Sequence, residues 1–264
     1  MEDFRYKVVL SDLDGVVWRG DKVLWENVSA LKFLMEKFNV KIYFTTNNST
    51  KTRANYLKKL LSIGIKTTID NIITSASLTA EIIRRNYGKV KVYVIGEEGL
   101  RTELLLKGIS IVKRRKPDMV VVGLDRRITY SKLAKALDFI LEGALFIATN
   151  IDATLPIGDK VIPGAGAIVA ALSEALGRKP DMVIGKPEPW MYLEVLKRAG
   201  VKKSDVLVIG DRLDTDIKGA MKLGMDSLLI LTGVTSRNDL EKSSIKPTYV
   251  SSSLKEFILK QKFN

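Results

Sequence analysis

Short runs of β-branched and other apolar residues recur along this chain, separated by stretches in which apolar positions return every three or four residues. The runs Lys7–Leu10, Lys41–Thr45, Lys91–Ile95, Met119–Val122, Leu145–Ala148, Val206–Ile209 and Ser227–Leu231 suit strands in length and content. Between them, Val28–Phe38, Thr52–Leu61, Leu78–Asn86, Ser131–Leu141, Ala167–Leu176, Met191–Ala199 and Ile217–Leu223 are amphipathic at helical spacing. Gly64, Gly177, Gly200 and Gly224 stand just after four of these stretches, where a closing residue with positive φ is favoured. Parallel neighbours need a crossover, so this alternation predicts an α/β protein with a parallel sheet. Val16–Leu24 departs from the pattern. Apolar residues there flank Arg19-Gly20-Asp21-Lys22, which predicts a short hairpin. The alternation never pauses, so the pattern marks no domain boundary. The longest apolar run, around Ala165–Leu172, suits a buried helix face and is too short to cross a membrane.

Composition narrows the chemistry. Among the 264 residues there is no histidine and no cysteine. That excludes His-based triads, thiolate nucleophiles, disulfides, iron–sulfur ligation and His- or Cys-held zinc. Carboxylates, Lys and Arg, hydroxyls, amides and a hard ion held by oxygen remain. Lys and Arg number 43 against 30 Asp and Glu, a net charge of +13 that favours anionic partners. Nucleic acid, an acidic membrane and a phosphorylated metabolite all qualify on charge. The opening MEDFRYKVVLSD has no basic segment leading into an apolar one, so no secretory leader is expected and a cytoplasmic location is.

Candidate chemistry collects at strand ends. Asp12-Leu13-Asp14-Gly15 follows the first run, and residues i and i+2 of an extended chain face one side, so both carboxylates can address one ligand. A turn with a capping aspartate is the competing reading. The second run ends in Thr45-Thr46-Asn47-Asn48-Ser49-Thr50 ahead of a helix, a natural anion site or an ordinary N-cap by Ser49 or Thr50. Gly185-Lys186-Pro187 places a lysine near a strand end, with Pro187 suited to the first turn of the next helix. A solvated surface lysine is the alternative. Gly210-Asp211-Arg212-Leu213-Asp214-Thr215-Asp216 offers three acidic groups, an oxygen-only site for magnesium or an Asp N-cap.

In chain order, paired Asp, hydroxyl and amide, Lys and acidic cluster together resemble the haloacid dehalogenase (HAD) superfamily of phosphatases and phosphotransferases. Its D-x-D-G-[TV] motif stands as Asp12–Val16, its strand ending in Thr or Ser as Thr46, its lysine as Lys186, and its G-D-x-x-x-x-D as Gly210-Asp211 through Asp216. The hairpin around Trp18-Arg19-Gly20 looks like the family's flap. The long stretch between Thr46 and Lys186, with Phe146–Pro156 and Ile162–Leu172, is similar to the branch of p-nitrophenylphosphatases, phosphoglycolate phosphatases and bacterial nucleotide phosphatases. The implied architecture is a Rossmann-like parallel-sheet core, residues 1–78 and 180–264, with an inserted α/β cap of the C2 type, residues 79–179.

The resemblance implies Mg²⁺-dependent hydrolysis of small phosphate monoesters through an aspartyl-phosphate. Asp12 would be the nucleophile and Asp14 the general acid/base. Thr46, Asn47, Asn48 and Lys186 would hold the phosphate. Asp12, Asp14 (through its main-chain carbonyl) and Asp211 would hold the metal, with Asp216 in support. Asp14 also sets the chain apart from the dehalogenating relatives, which carry no acid/base aspartate there. Residues around Asn150–Leu155 are expected to face the substrate, a small phosphorylated metabolite, and a homodimer through the cap is implied. Transfer of the phosphoryl group to a sugar or other acceptor is the alternative within the same chemistry.

Outside that class stands a basic nucleic-acid-binding module, which steeply salt-dependent oligonucleotide binding would mark. Lys113-Arg114-Arg115-Lys116 lacks interleaved aromatics and reads as a solvated basic face. Gly164-Ala165-Gly166 fails as a dinucleotide fingerprint, since Pro163 precedes it and Val169 takes the sixth position. Neither nucleic acid nor membrane is an expected partner.

Overall fold

The computed structural model describes residues 4–157 and 160–260, so residues 1–3 and 261–264 of the expected core lie outside the described residues. The chain opens with β1 (Val8–Asp12), the hairpin β2 (Trp18–Arg19) and β3 (Lys22–Val23), α1 (Trp25–Phe38), β4 (Lys41–Thr46), α2 (Arg53–Ser62) and β5 (Ile72–Thr74). It continues with α3 (Ser75–Tyr87), β6 (Lys91–Ile95), α4 (Glu98–Leu106), β7 (Ser110–Ile111), β8 (Met119–Val122) and α5 (Tyr130–Leu141). Then come β9 (Leu145–Ala148), the antiparallel pair β10 (Thr154–Ile157) and β11 (Lys160–Pro163), α6 (Ala165–Leu176) and β12 (Met182–Val183). The last part holds α7 (Trp190–Ala199), β13 (Val206–Gly210), α8 (Lys218–Leu223), β14 (Asp226–Ile230), α9 (Arg237–Lys242), β15 (Tyr249–Ser251) and α10 (Leu254–Lys260).

Contacts divide the chain into two units: residues up to Thr46, Leu57–Ile72 and from Lys186 onward form the first, and Asn47–Tyr56 with Ile73–Gly185 the second. The expected division points, 78/79 and 179/180, both fall inside the second unit. Two local facts explain the wider span. Helix α3 begins at Ser75 because Thr74 caps it: the Thr74 hydroxyl accepts from Ser77 N at 3.0 Å, and Thr74 N donates back to Ser77 Oγ at 3.0 Å. At the other end, β12 pairs with β9 and is held in that unit's sheet.

In the first unit the sheet has six strands in the order β15-β14-β13-β1-β4-β5. From β15 through to β4 the strands pair in parallel. Strands β1 and β13 are buried throughout, as the apolar runs Val8–Leu10 and Val206–Ile209 predict for central parallel strands. From β1 the chain builds outward through β4 and β5, and it later returns to β13 on the other side. The boundary between β1 and β13 is therefore a topological switch point, and open α/β sheets bind ligands beyond the carboxyl ends of their strands there.

The second unit has its own five-stranded sheet, order β12-β9-β8-β6-β7, with a core that includes Tyr93, Val120, Phe139, Phe146, Ile168 and Leu172. Ala165, Ile168, Val169 and Leu172 are the buried residues of α6, so its apolar run does supply a core face. Lys113–Lys116 are exposed. Among the described residues no helix is long and apolar enough to cross a membrane.

The seven expected strands and seven expected helices all form, with ends shifted by up to three residues. Helix α7 starts at Trp190 with Pro189 as its N-cap, so Pro187 precedes the helix instead of entering its first turn. Helix α4 escapes the pattern because only Leu100 and Leu104 carry its buried apolar stripe. Two- and three-residue strands such as β7, β12 and β15 are too short for periodicity to register.

Candidate functional site

Strand β1 delivers Asp12 to the carboxyl edge of the first unit's sheet, where it pairs in register with Thr45 of β4. Gly210 ends β13 on the other side, so Asp211 emerges beside β1. Lys186 enters from the far end of the chain and is 1% exposed. Its Nζ donates to Asp12 Oδ1 at 2.5 Å and to Asp216 Oδ1 at 2.6 Å. The surface reading of this lysine is thereby excluded. Burial pulls the Lys186 ammonium down, but Asp12 and then Asp216 hold it above the usual lysine range.

The acidic segment divides sharply. Leu213–Ile217 forms a π-helical turn, and such turns often accompany functional sites. Within it Asp214 points outward and pairs with Arg212, Nη2 to Oδ2 at 3.0 Å, while Asp216 is buried against Lys186. Helix α8 has Ile217 as its N-cap and no side-chain cap bond, so the N-cap reading of these aspartates is set aside. Asp12, Asp211 and Asp216 each offer a carboxylate oxygen within 4.8 Å of the others. Burial pushes the Asp12 carboxyl well above the usual range; Lys186 pulls it back, and Asp216, Asp211 and Asp14 push it up further. Asp211 is pushed up to about 7, by burial first and then by Asp216.

Asp211 is held from a loop the motifs did not announce. Its Oδ2 accepts from Val234 N at 2.7 Å, and its carbonyl accepts from Thr235 N at 3.2 Å. Thr232 Oγ1, just after β14, donates to the Gly15 carbonyl at 2.6 Å. Asp211 Oδ1 is buried and has no hydrogen-bond partner among the described residues. Tyr192 on α7 was also missed; its buried hydroxyl donates toward the carbonyls of Thr215 and Asp216, both at 3.2 Å. The sequence hint for the loop was Thr232-Gly233-Val234-Thr235 placed after a strand. Tyr192 gave none, since a tyrosine on an amphipathic helix reads as core.

Glycines let the backbone approach these carboxylates. A Cβ on Gly233 would lie 1.9 Å from Asp211 Oδ2, and one on Gly210 would lie 2.3 Å from Asp216 Cβ. At Gly15 two constraints coincide: φ is +87°, and a Cβ would meet Asp211 Oδ2 at 2.3 Å. Gly15→Ala should therefore cost more than about 2 kcal/mol, from backbone strain and overpacking together. Urea denaturation checks this, and a loss under about 0.5 kcal/mol would contradict it.

Asp14 is half-buried and accepts the Trp18 indole N–H on Oδ1 at 3.0 Å. Thr46 ends β4 and is buried. Asn47 and Asn48 belong to the second unit, where Asn47 Nδ2 donates to Asp152 Oδ2 at 2.8 Å and Asn48 Oδ1 accepts from Thr50 N at 2.9 Å. Asn150 also donates to Asp152 Oδ2. Neither Ser49 nor Thr50 caps α2. Thr52 does, with Asn55 N donating to Thr52 Oγ1 at 3.2 Å and Thr52 N donating to Asn55 Oδ1 at 2.9 Å.

The haloacid dehalogenase-like hydrolase model matches residues 9–110, and the HAD-hydrolase-like model matches residues 183–257. An acid sugar phosphatase of Staphylococcus saprophyticus is 37% identical over 253 residues, 96% of this chain and 97% of that one. Among solved structures, a p-nitrophenyl phosphatase from Archaeoglobus fulgidus superposes with a TM-score of 0.92 at 38% identity, covering 97% of this chain and 99% of its own. A glycerol phosphate phosphatase from Mycobacterium tuberculosis, in complex with magnesium, gives 0.85 at 35% identity, covering 95% of this chain and 75% of its own.

Proposed function

The chain belongs to the haloacid dehalogenase-like hydrolases, and from that premise we propose that it is a magnesium-dependent phosphatase of small phosphate monoesters. The observation that carries this reading is the buried Asp12–Lys186–Asp216 array beside an unpartnered carboxylate oxygen of Asp211. A buried polar atom without a partner calls for one, and an all-oxygen donor set suits a hard cation. The residues therefore fit magnesium. Asp12, the Asp14 main-chain carbonyl and Asp211 would hold it, with Asp216 in support through Lys186. When bound, the ion would supply positive charge that screens the repulsion of nucleophile and phosphate.

Asp12 attacks phosphorus in line, forming an acyl phosphate as the ester P–O bond breaks. Asp14 gives its proton to the departing oxygen. It then takes a proton from the water that attacks the acyl phosphate, releasing inorganic phosphate and restoring Asp12. Lys186 counters the charge on the transferring group, and Thr46, with Asn47 and Asn48 next to it in the chain, is assigned to the phosphate oxygens. Substrates of the kind named for the relatives, nitrophenyl, sugar and glycerol phosphates, are the first to try.

The test is phosphate release from p-nitrophenyl phosphate with magnesium, for the native chain and Asp12→Ala, each with and without EDTA. Activity should vanish with either change. Turnover by Asp12→Ala would overturn the nucleophile, turnover in EDTA the metal. Adding an acceptor alcohol and finding phosphorylated product faster than free phosphate would turn the reading toward a transferase.

A further inference from the structure

The hairpin β2–β3 has no role in the mechanism above, yet it ends against the acid/base residue. Its first strand residue, Trp18, is 1% exposed. The segment from Leu13 to Trp18 closes on itself through Val17 N to Leu13 O at 2.8 Å, Trp18 N to Leu13 O at 3.2 Å and Gly15 N to Trp18 O at 2.7 Å. This closure aims the indole N–H at Asp14 Oδ1. From α2, Lys59 Nζ lies 4.0 Å from the centre of the Trp18 ring and donates to the Gly20 carbonyl at 3.2 Å. One lysine thus braces both the ring and the hairpin turn, and a cation over an indole face is worth more when sheltered from water.

A buried indole offers one donor and no acceptor. While the Asp14 carboxyl carries its proton, the oxygen best suited to accept this N–H is the carbonyl oxygen, so the transferable proton belongs on the other one. We propose that Trp18, braced by Lys59, is a positioning residue that fixes the plane of the Asp14 carboxyl and assigns its proton to Oδ2. This rests on the reading of Asp14 as general acid. In the proton transfer the Oδ2–H bond breaks, the proton joins the departing alkoxide oxygen, and Asp14 is left as a carboxylate that retains the indole hydrogen bond.

Leaving groups separate this role from mere packing. An alkoxide needs the proton in order to leave, whereas p-nitrophenolate departs as a stabilised anion. The ratio kcat/KM reports the first phosphoryl transfer, so it isolates the step in which Asp14 acts as acid. Trp18→Phe keeps a ring and removes the donor. It should lower kcat/KM about tenfold on glycerol 3-phosphate and less than about threefold on p-nitrophenyl phosphate. Replacing Trp18 by 3-benzothienylalanine keeps the bicyclic shape without the N–H and should give the same selective loss, even if the phenylalanine variant folds poorly.

Asp14→Asn run in parallel is the benchmark. If it shows the leaving-group selectivity while both Trp18 replacements lose equally on the two substrates, or on neither, the positioning role is wrong. If Asp14→Asn itself shows no selectivity, the acid assignment falls, and the role of Trp18 with it.

Discussion

Asp12→Asn should lose at least about 10⁴-fold in kcat on p-nitrophenyl phosphate, while its melting temperature in EDTA stays at or above that of the native chain. The two halves of this outcome share a cause. Asp12 is only 8% exposed, shares a single buried lysine with Asp216, and is also acted on by the charges of Asp211 and Asp14. Lys186 holds the charged oxygen where a phosphorus atom can meet it, and the crowding of carboxylates costs stability in the unliganded fold. An asparagine of the same shape still offers Lys186 an acceptor, relieves the repulsion from Asp211 and Asp216, and cannot form the acyl phosphate. Retained activity above about 1% would show that another group attacks. A drop of several degrees in melting temperature would show that the Asp12–Lys186 bond outweighs the crowding.

Lys186→Met is expected to be the most destabilising single change in the site, costing about 3–5 kcal/mol near pH 8, because it leaves buried carboxylates without their cation. The cost should depend on pH. Asp12 is already raised by burial and would lose the neighbour that pulls it back. Its folded-state pKa then lies further above the unfolded one, so the folded state keeps a proton that the unfolded chain releases. Stability consequently rises as pH falls, and the full loss appears only above the folded value. Asp211, at about 7, acts with the same sign in the native chain, whose stability in EDTA should decline as pH rises toward 7. Urea melts of both proteins near pH 5 and pH 8 decide the matter. A Lys186→Met deficit equal at the two pH values would mean that Asp12 is not the group responsible. Magnesium should raise the native melting temperature more near pH 8 than near pH 5, since its carboxylate ligands must first lose their protons.

Much of this was readable along the chain. Strand and helix periods differ, so Lys91–Ile95, Met119–Val122 and Leu145–Ala148 were located to the residue by hydrophobic pattern alone. Asp12, Thr46, Lys186 and Asp211 were noticeable because each follows or closes a strand-like run, and parallel sheets present such ends to ligands. Residue type and spacing also limited the chemistry, since a chain without His or Cys must work through oxygen and lysine.

What stayed hidden depends on directions and distant neighbours, which a linear pattern does not carry. Asp214 and Asp216 look alike in the motif, and a π-helical turn sends one to solvent and the other to Lys186. The hold on Asp211 comes from Val234 and Thr235 because β14 happens to lie beside β13. Trp18 reads as an apolar hairpin residue until the turn from Leu13 swings its N–H onto Asp14. Residue types and local periods are properties of the chain, so the α/β class and the inventory of reactive groups followed from it. Strand order and turn geometry are set by packing between segments far apart in sequence. Only those brought Asp12, 174 positions away, and Asp216, 30 positions away, within a hydrogen bond of Lys186.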